Sequence, residues 1–276
     1  METIFANSSG TLIRHPYFAS QHVQARPVDV WLPPEHLVPP GTRLPVIYMH
    51  DGQNLFLPNA AFGRQAWDVH RAILDLMAQK CIPGAIIVGI WNTGEDRWRE
   101  YTPQKPMDTQ AGLQFSSLIT TRVTGPIISD RYLKFIVEEL KPFIDETYLT
   151  LPDQPNTYVM GSSMGGLISL YALCRCPDVF HGAGCLSTHW PAGEQILVDY
   201  FCQAVPLPGR HRLYFDFGDQ DLDAAYEPWQ TRLDDCLGRA GYIHGADWLT
   251  RKFPGAGHSE AAWRERVQIP LEFLLK

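Results

Sequence analysis

The chain has no apolar run approaching the thickness of a bilayer, no cluster of lysines and arginines, no CxxC pair and no internal repeat. The first absence excludes a membrane-spanning helix, which needs about 20 consecutive apolar residues. Residues 1–10 also lack the basic start and apolar centre of a secretory leader, so a cytoplasmic protein is expected. The second absence, with a net charge of −7, argues against nucleic acid or an anionic membrane as partner, since both are bound through concentrated positive charge. Cysteines do occur, at 81, 174, 176, 185, 202 and 236, but Cys174-x-Cys176 is too tight for a usual zinc knuckle and most of the six fall inside apolar segments. The expectation is free buried thiols, with neither metal nor cofactor. The lack of a repeat excludes solenoids and propellers.

What is present suits one α/β domain spanning residues 1–276, with 45% apolar and 12% aromatic content to build its core. Residues 11–32 read as an opening pair of strands, in which Val28, Val30 and Leu32 share one face. Leu44–Met49 and Ala85–Trp91 are continuous apolar runs, the pattern of strands buried on both sides. Between them, residues 67–80 carry Trp67, His70, Ile73, Leu74 and Met77 at helical spacing. From Asn92 to about Gly125 the chain is polar, and a long loop is expected there, serving as a lid or pocket wall or else a plain surface excursion. Ser129 is expected to cap a helix reaching about Tyr148, which Pro142 should kink or split. Further strands are expected over 182–187, 211–217 and 248–253, with a helix over 224–240 and a terminal helix interrupted by Pro270. This alternation implies a doubly wound, mostly parallel sheet flanked by helices.

The organising stretch is Gly161-Ser162-Ser163-Met164-Gly165-Gly166, preceded by apolar Tyr158–Met160 and followed by helix-forming Leu167–Leu173. Gly-x-Ser-x-Gly between a strand and a helix is the form of a nucleophile elbow, whose glycines remove side chains that would collide across a very tight turn. Such a turn would aim Ser163 out of the sheet and place the Met164 N–H, at a helix start, where an oxyanion can be held. Taken alone, the motif equally suits a phosphate site or a simple tight connection. The rest of the chain favours catalysis, because an acidic loop follows a later strand and His258 follows the last one, in the order Ser…Asp…His of α/β-hydrolases. Serine is a poor nucleophile until a histidine takes its proton, and the histidine needs a carboxylate to fix its tautomer. The loop after 211–217 offers Asp219, Asp221 and Asp223 for that task.

The sequence resembles the esterase family of the α/β-hydrolase superfamily that includes enterochelin-esterase-like proteins, esterase D, S-formylglutathione hydrolases and feruloyl or acetyl-xylan esterases. The resemblance is carried by Val28-Asp29-Val30-Trp31-Leu32-Pro33, His50-Asp51-Gly52-Gln53-Asn54-Leu55-Phe56, Gly89–Gly94, the elbow, Leu186–Trp190 and Gly257-His258-Ser259, and is nearest to the branch bearing the HDGQNLF motif. It implies a serine hydrolase with Ser163 as nucleophile, His258 as base and an oxyanion hole from the N–H groups of Met164 and Gln53. The Leu222-Asp223-Ala224 run followed by Tyr226, shared with that branch, favours Asp223 as the acid, while the Gly-x-x-Asp pattern of esterase D and feruloyl esterases favours Asp221. Asp219 is expected to be a solvated turn residue, and the carboxylate not used to cap the helix over 224–240. Arg97, Tyr101, His189 and Trp190 are expected to wall a pocket for a small acyl group on a polar or aromatic alcohol, unless Arg97 and Trp190 only tie the long segment to the body. The alternatives to an esterase are a thioesterase acting on S-formylglutathione and a silent fold used for binding.

Overall fold

A single sheet of nine strands runs through the computed structural model, which describes residues 1–118 and 125–276. In chain order the strands are β1 (Glu2–Asn7), β2 (Gly10–Phe18), β3 (Arg26–Leu32), β4 (Val46–His50), β5 (Ile86–Ile90), β6 (Thr157–Ser162), β7 (Gly182–Leu186), β8 (Arg212–Phe217) and β9 (Trp248–Lys252). Across the sheet their order is β1-β2-β3-β5-β4-β6-β7-β8-β9. The six from β5 to β9 are mutually parallel, and β1, β2 and β3 join them as an antiparallel flange. The fold is thus the α/β-hydrolase type expected, with β1 an addition: its two ends are exposed, so it carries little of the apolar signal that marks the inner strands.

Strands β4 to β7 are buried along their whole length, and successive residues feed opposite cores. Val46, Tyr48, Val88, Val159, Ala183, Leu213 and Phe215 face one core. Ile47, Met49, Ile87, Tyr158, Met160 and Tyr214 face the other. The helices are α1 (Val69–Ala78), α2 (Arg97–Tyr101), α3 (Gln104–Met107), α4 (Gln110–Leu118), α5 (Ser129–Lys134), α6 (Lys141–Thr147), α7 (Met164–Arg175), α8 (Glu194–Ala204), α9 (Glu227–Ala240), α10 (Glu260–Arg266) and α11 (Gln268–Leu275). Apolar residues of α5, α7, α8 and α9 fill the first core, and those of α1, α10 and α11 the second. None of the described helices is long and apolar enough to cross a membrane.

Several expectations need correction. The polar segment after β5 holds α2, α3 and α4 rather than a loop, because buried Glu100, Tyr101, Pro106 and Met107 anchor these short helices from one side; residues 119–124 of that segment lie outside the described residues. Ser129 is the first residue of α5, not its cap, and its Oγ instead accepts the N–H of Gln104 at 2.9 Å. Pro142 leaves its mark as a π-helical stretch, Phe135–Leu140, joining α5 to α6, where a widened turn accommodates a ring that would strike the carbonyl four residues back. The terminal helix breaks at Val267, and Pro270 sits in the first turn of α11, where its missing N–H costs nothing. Cys202 and Cys236 are not free thiols but a disulfide between the packed helices α8 and α9, 34 residues apart in sequence and so without any local spacing signal. Of the remaining cysteines only Cys185 is buried.

Candidate active site

The chain turns from β6 into α7 at Ser163, whose φ of 57° and ψ of −122° lie where side chains are disfavoured. A Cβ at Gly161 would stand 2.8 Å from the Gly165 carbonyl carbon, so the turn closes only with glycine at 161. Met164 opens α7, and its N–H belongs to the first turn, whose donors have no carbonyl within the helix. On the adjacent strand, β4 ends in a 3₁₀ turn, Gly52–Asn54, that presses against β5. A Cβ at Gly52 would lie 2.4 Å from the Gly89 carbonyl carbon. That turn spends the N–H groups of Asn54 and Leu55 on Asp51 and Gly52; the Gln53 N–H takes part in neither bond.

Because β6, β7, β8 and β9 are parallel, their C-terminal ends deliver Ser163, Ser187, Asp223 and His258 to one edge of the sheet. His258 Nε2 lies 2.9 Å from Ser163 Oγ, and its Nδ1 lies 2.6 Å from Asp223 Oδ1. The imidazole is held between rings: Trp263 meets it edge to face with centroids 4.9 Å apart, and Tyr226 does so at 5.8 Å. Asp223 Oδ2 accepts the Ser187 hydroxyl and the Gly218 N–H, each at 2.7 Å. Burial pushes the Asp223 carboxyl up, but the hydrogen bonds from His258, Ser187 and Gly218 outweigh it and hold the group below the usual carboxylate value. Asp223 is therefore an anion at neutral pH.

The other two acids of this loop also engage the segment bearing His258. Asp219 is a solvated residue at a bend, as expected, and it also clasps the next segment: its N–H and that of Gln220 both donate to the Ala256 carbonyl at 3.1 Å, and its Oδ1 accepts the Gly255 N–H at 2.8 Å. Asp221 lies exposed, its carboxylate against the Gly257 backbone, and α9 has no side-chain cap, so neither acid plays that part.

Of the expected pocket residues, His189 adjoins the site. Its N–H donates to the Ser163 carbonyl at 3.2 Å, its Nδ1 pairs with the Tyr226 hydroxyl at 2.7 Å, and its ring centroid is 6.4 Å from that of His258. Trp98, which the sequence did not single out, packs edge to face on His189 at 5.6 Å. Arg97 is partly exposed and gives a two-pronged ion pair to Asp51, with Nε to Oδ1 at 2.8 Å and Nη2 to Oδ2 at 2.7 Å. Burial raises the Asp51 carboxyl, and Arg97 with Asn92 more than offsets it, leaving Asp51 below its usual value. Tyr101 and Trp190 are not walls: both are 0% exposed, because α2 and the turn after His189 fold their aromatic faces into the core. His50 is likewise buried, its ring pushed down to about 3 by desolvation and its Nδ1 paired with Tyr132 Oη at 2.9 Å. Glu260, two residues past His258, was also missed; its Oε1 accepts from Asn54 Nδ2 at 3.2 Å, joining α10 to the turn after β4.

The family model described as "Putative esterase" matches residues 20–269. One relative, "Uncharacterized protein YbbA" of Bacillus subtilis (strain 168), is 25% identical over 200 residues, covering 71% of this chain and 69% of that protein. Among solved structures, a ferulic acid esterase superposes with a TM-score of 0.67 at 18% identity over 96% of this chain and 97% of its own. "Enterobactin and Salmochelin Hydrolase IroE" does so with a TM-score of 0.67 at 17% identity over 96% of each chain. At these identities the two structures share their fold with this chain.

Proposed function

Because this chain belongs to the "Putative esterase" family and is accordingly a serine esterase that hydrolyses carboxylic esters, we propose that Ser163 is its nucleophile, His258 its general base and Asp223 the acid that orients the imidazole. The observation that carries this reading is the bridging position of His258, with one ring nitrogen 2.9 Å from Ser163 Oγ and the other 2.6 Å from Asp223 Oδ1. In the proposed reaction Ser163 Oγ attacks the ester carbonyl carbon as its proton passes to His258 Nε2. The carbonyl electrons move onto oxygen, which the N–H groups of Met164 and Gln53 receive. Collapse of this intermediate expels the alcohol, protonated by His258, and leaves an acyl-serine. Water then repeats the sequence and releases the carboxylic acid. Asp223, already an anion, stabilises the imidazolium in both halves.

The substrate is proposed to be a small-acyl ester of a polar or aromatic alcohol. His189 and Tyr226 flank the His258 imidazole, and Trp98 packs on the His189 ring. Arg97 supplies hydrogen-bond donors, while Asp51 already matches its charge, which suits a neutral polar group better than an anion. The test begins with a fluorophosphonate probe, which should label Ser163, and with Ser163→Ala, which should lower kcat by roughly 10⁴ to 10⁶. Undiminished activity in that variant would end the reading. Acetate and feruloyl esters should be cleaved faster than C12–C16 acyl esters; the reverse order would remove the substrate class, and a preference for S-formylglutathione would favour a thioesterase.

A further inference from the structure

Behind Asp223 lies a closed set of buried side chains. Ser187 follows β7 directly, is 0% exposed and holds a φ of 43°, a backbone that glycine would take without strain. Its single hydroxyl is fully committed. Trp263 Nε1 donates to its Oγ at 2.9 Å and Arg266 Nη2 donates to it at 2.8 Å. Neither partner can accept a hydrogen bond, so both lone pairs are occupied and the one proton must go to Asp223 Oδ2, 2.7 Å away. Arg266 is fixed in turn by Asp216, with Nη2 to Oδ1 at 2.9 Å.

We propose that Ser187 is a positioning residue for the esterase reaction: held by Trp263 and Arg266, its hydroxyl makes the two oxygens of Asp223 inequivalent and reserves Oδ1 for His258. The inference rests on the reading of Ser163, His258 and Asp223 given above. A carboxylate rotates about a soft, roughly two-fold torsion, and either oxygen alone would serve a histidine equally well. Here one oxygen is claimed by Ser187 and by the Gly218 N–H, so turning the carboxylate plane away from the orientation that aims the other at His258 would break two hydrogen bonds to gain none. The constraint also closes on itself through the chain. Trp263 and Arg266 stand three residues apart on α10, which Ser259 caps by accepting the Ala262 N–H, and Ser259 is the neighbour of His258. Helix α10 therefore sets the place of the base and, through Ser187, the orientation of the acid facing it.

The experiment is a double-mutant cycle in kcat on p-nitrophenyl acetate. Ser187→Ala should lower kcat on the order of 10- to 100-fold with KM little changed, the size expected for one lost hydrogen bond to an ion. In an Asp223→Asn background the same change should cause no further loss, because Ser187 acts only through the carboxylate. Trp263→Phe keeps a ring against His258 and removes one donor to Ser187; it should give a smaller kcat loss that also disappears with Asp223→Asn, and it decides the matter if Ser187→Ala does not fold. A normal kcat in Ser187→Ala, or losses that multiply in both backgrounds, would overturn the inference and leave Ser187 a packing residue. Should Asp223→Asn itself be fully active, the assignment of the acid fails and this inference fails with it.

Discussion

Replacing Asp223 by asparagine keeps the shape of the side chain, removes its charge and leaves only one of its two terminal atoms able to accept a hydrogen bond, and the surroundings dictate how the amide must turn. One side of the position offers two donors, the Ser187 hydroxyl and the Gly218 N–H; the other offers His258 Nδ1. The amide oxygen goes to the two donors, because leaving both buried and unmet costs about 1–3 kcal/mol each, whereas histidine can answer an amide N–H by changing tautomer. The amide nitrogen then faces Nδ1, which must accept, and the ring proton moves to Nε2, opposite Ser163 Oγ. A histidine already protonated there cannot take the serine proton. The expected loss in kcat is on the order of 10⁴, about 5.5 kcal/mol of barrier, with the fold retained and the melting point at neutral pH lowered by loss of the stabilising carboxylate. Asp221→Asn, altering an exposed carboxylate, should stay within about threefold of the parent. Steady-state hydrolysis of p-nitrophenyl acetate by both variants is the assay. A near-normal Asp223→Asn enzyme beside a crippled Asp221→Asn enzyme would refute the reasoning.

Two other outcomes follow from the same structure. Breaking the Cys202–Cys236 bond by reduction or by Cys202→Ser frees a closure of 34 residues, which should cost about 4 kcal/mol and roughly 10 °C in calorimetry; a melting curve indifferent to dithiothreitol would contradict it. The pH dependence of stability combines two signs: Asp51 and Asp223, both held below the usual carboxyl value, contribute stability that is present above about pH 4 and lost as pH falls below it, whereas Asp216, raised by burial to about 6, contributes stability that is present below about pH 4 and lost as pH rises through 6. Urea unfolding at a series of pH values should therefore show a flatter curve between about pH 4 and 7 for Asp216→Asn than for the parent, and identical curves would refute this.

The inner strands were legible because Leu44–Met49 and Ala85–Trp91 bury both faces and cannot be mistaken for loop. Ser163 and His258 were legible because a steric motif and a strand end mark them. The choice among three aspartates was not settled by the residues alone, since each engages the segment before His258 in its own way and only three-dimensional packing separates a backbone clasp from a histidine partner. Tyr101 and Trp190 misled for a related reason: an aromatic beside polar residues looks like a pocket wall, and whether its face is open depends on helices that local composition does not announce. Ser187 lies within the Leu186–Trp190 stretch that carries the resemblance, but its pairing with Arg266 had no signal, since the two are 79 positions apart and their meeting requires the whole sheet.

The clasp between Asp219 and the Gly255–Ala256 turn has a consequence for how the site comes apart. Local opening of a native protein proceeds in contiguous cooperative units, and three hydrogen bonds tie the loop that bears Asp223 to the turn that leads to His258. Neither arm can lift alone without breaking them. Under mild heat or denaturant Asp223 and His258 should leave Ser163 together and return together, so amides of 218–223 and 254–258 should exchange hydrogen for deuterium at one shared rate, and loss of the site should be a switch between two populations rather than a gradual loosening.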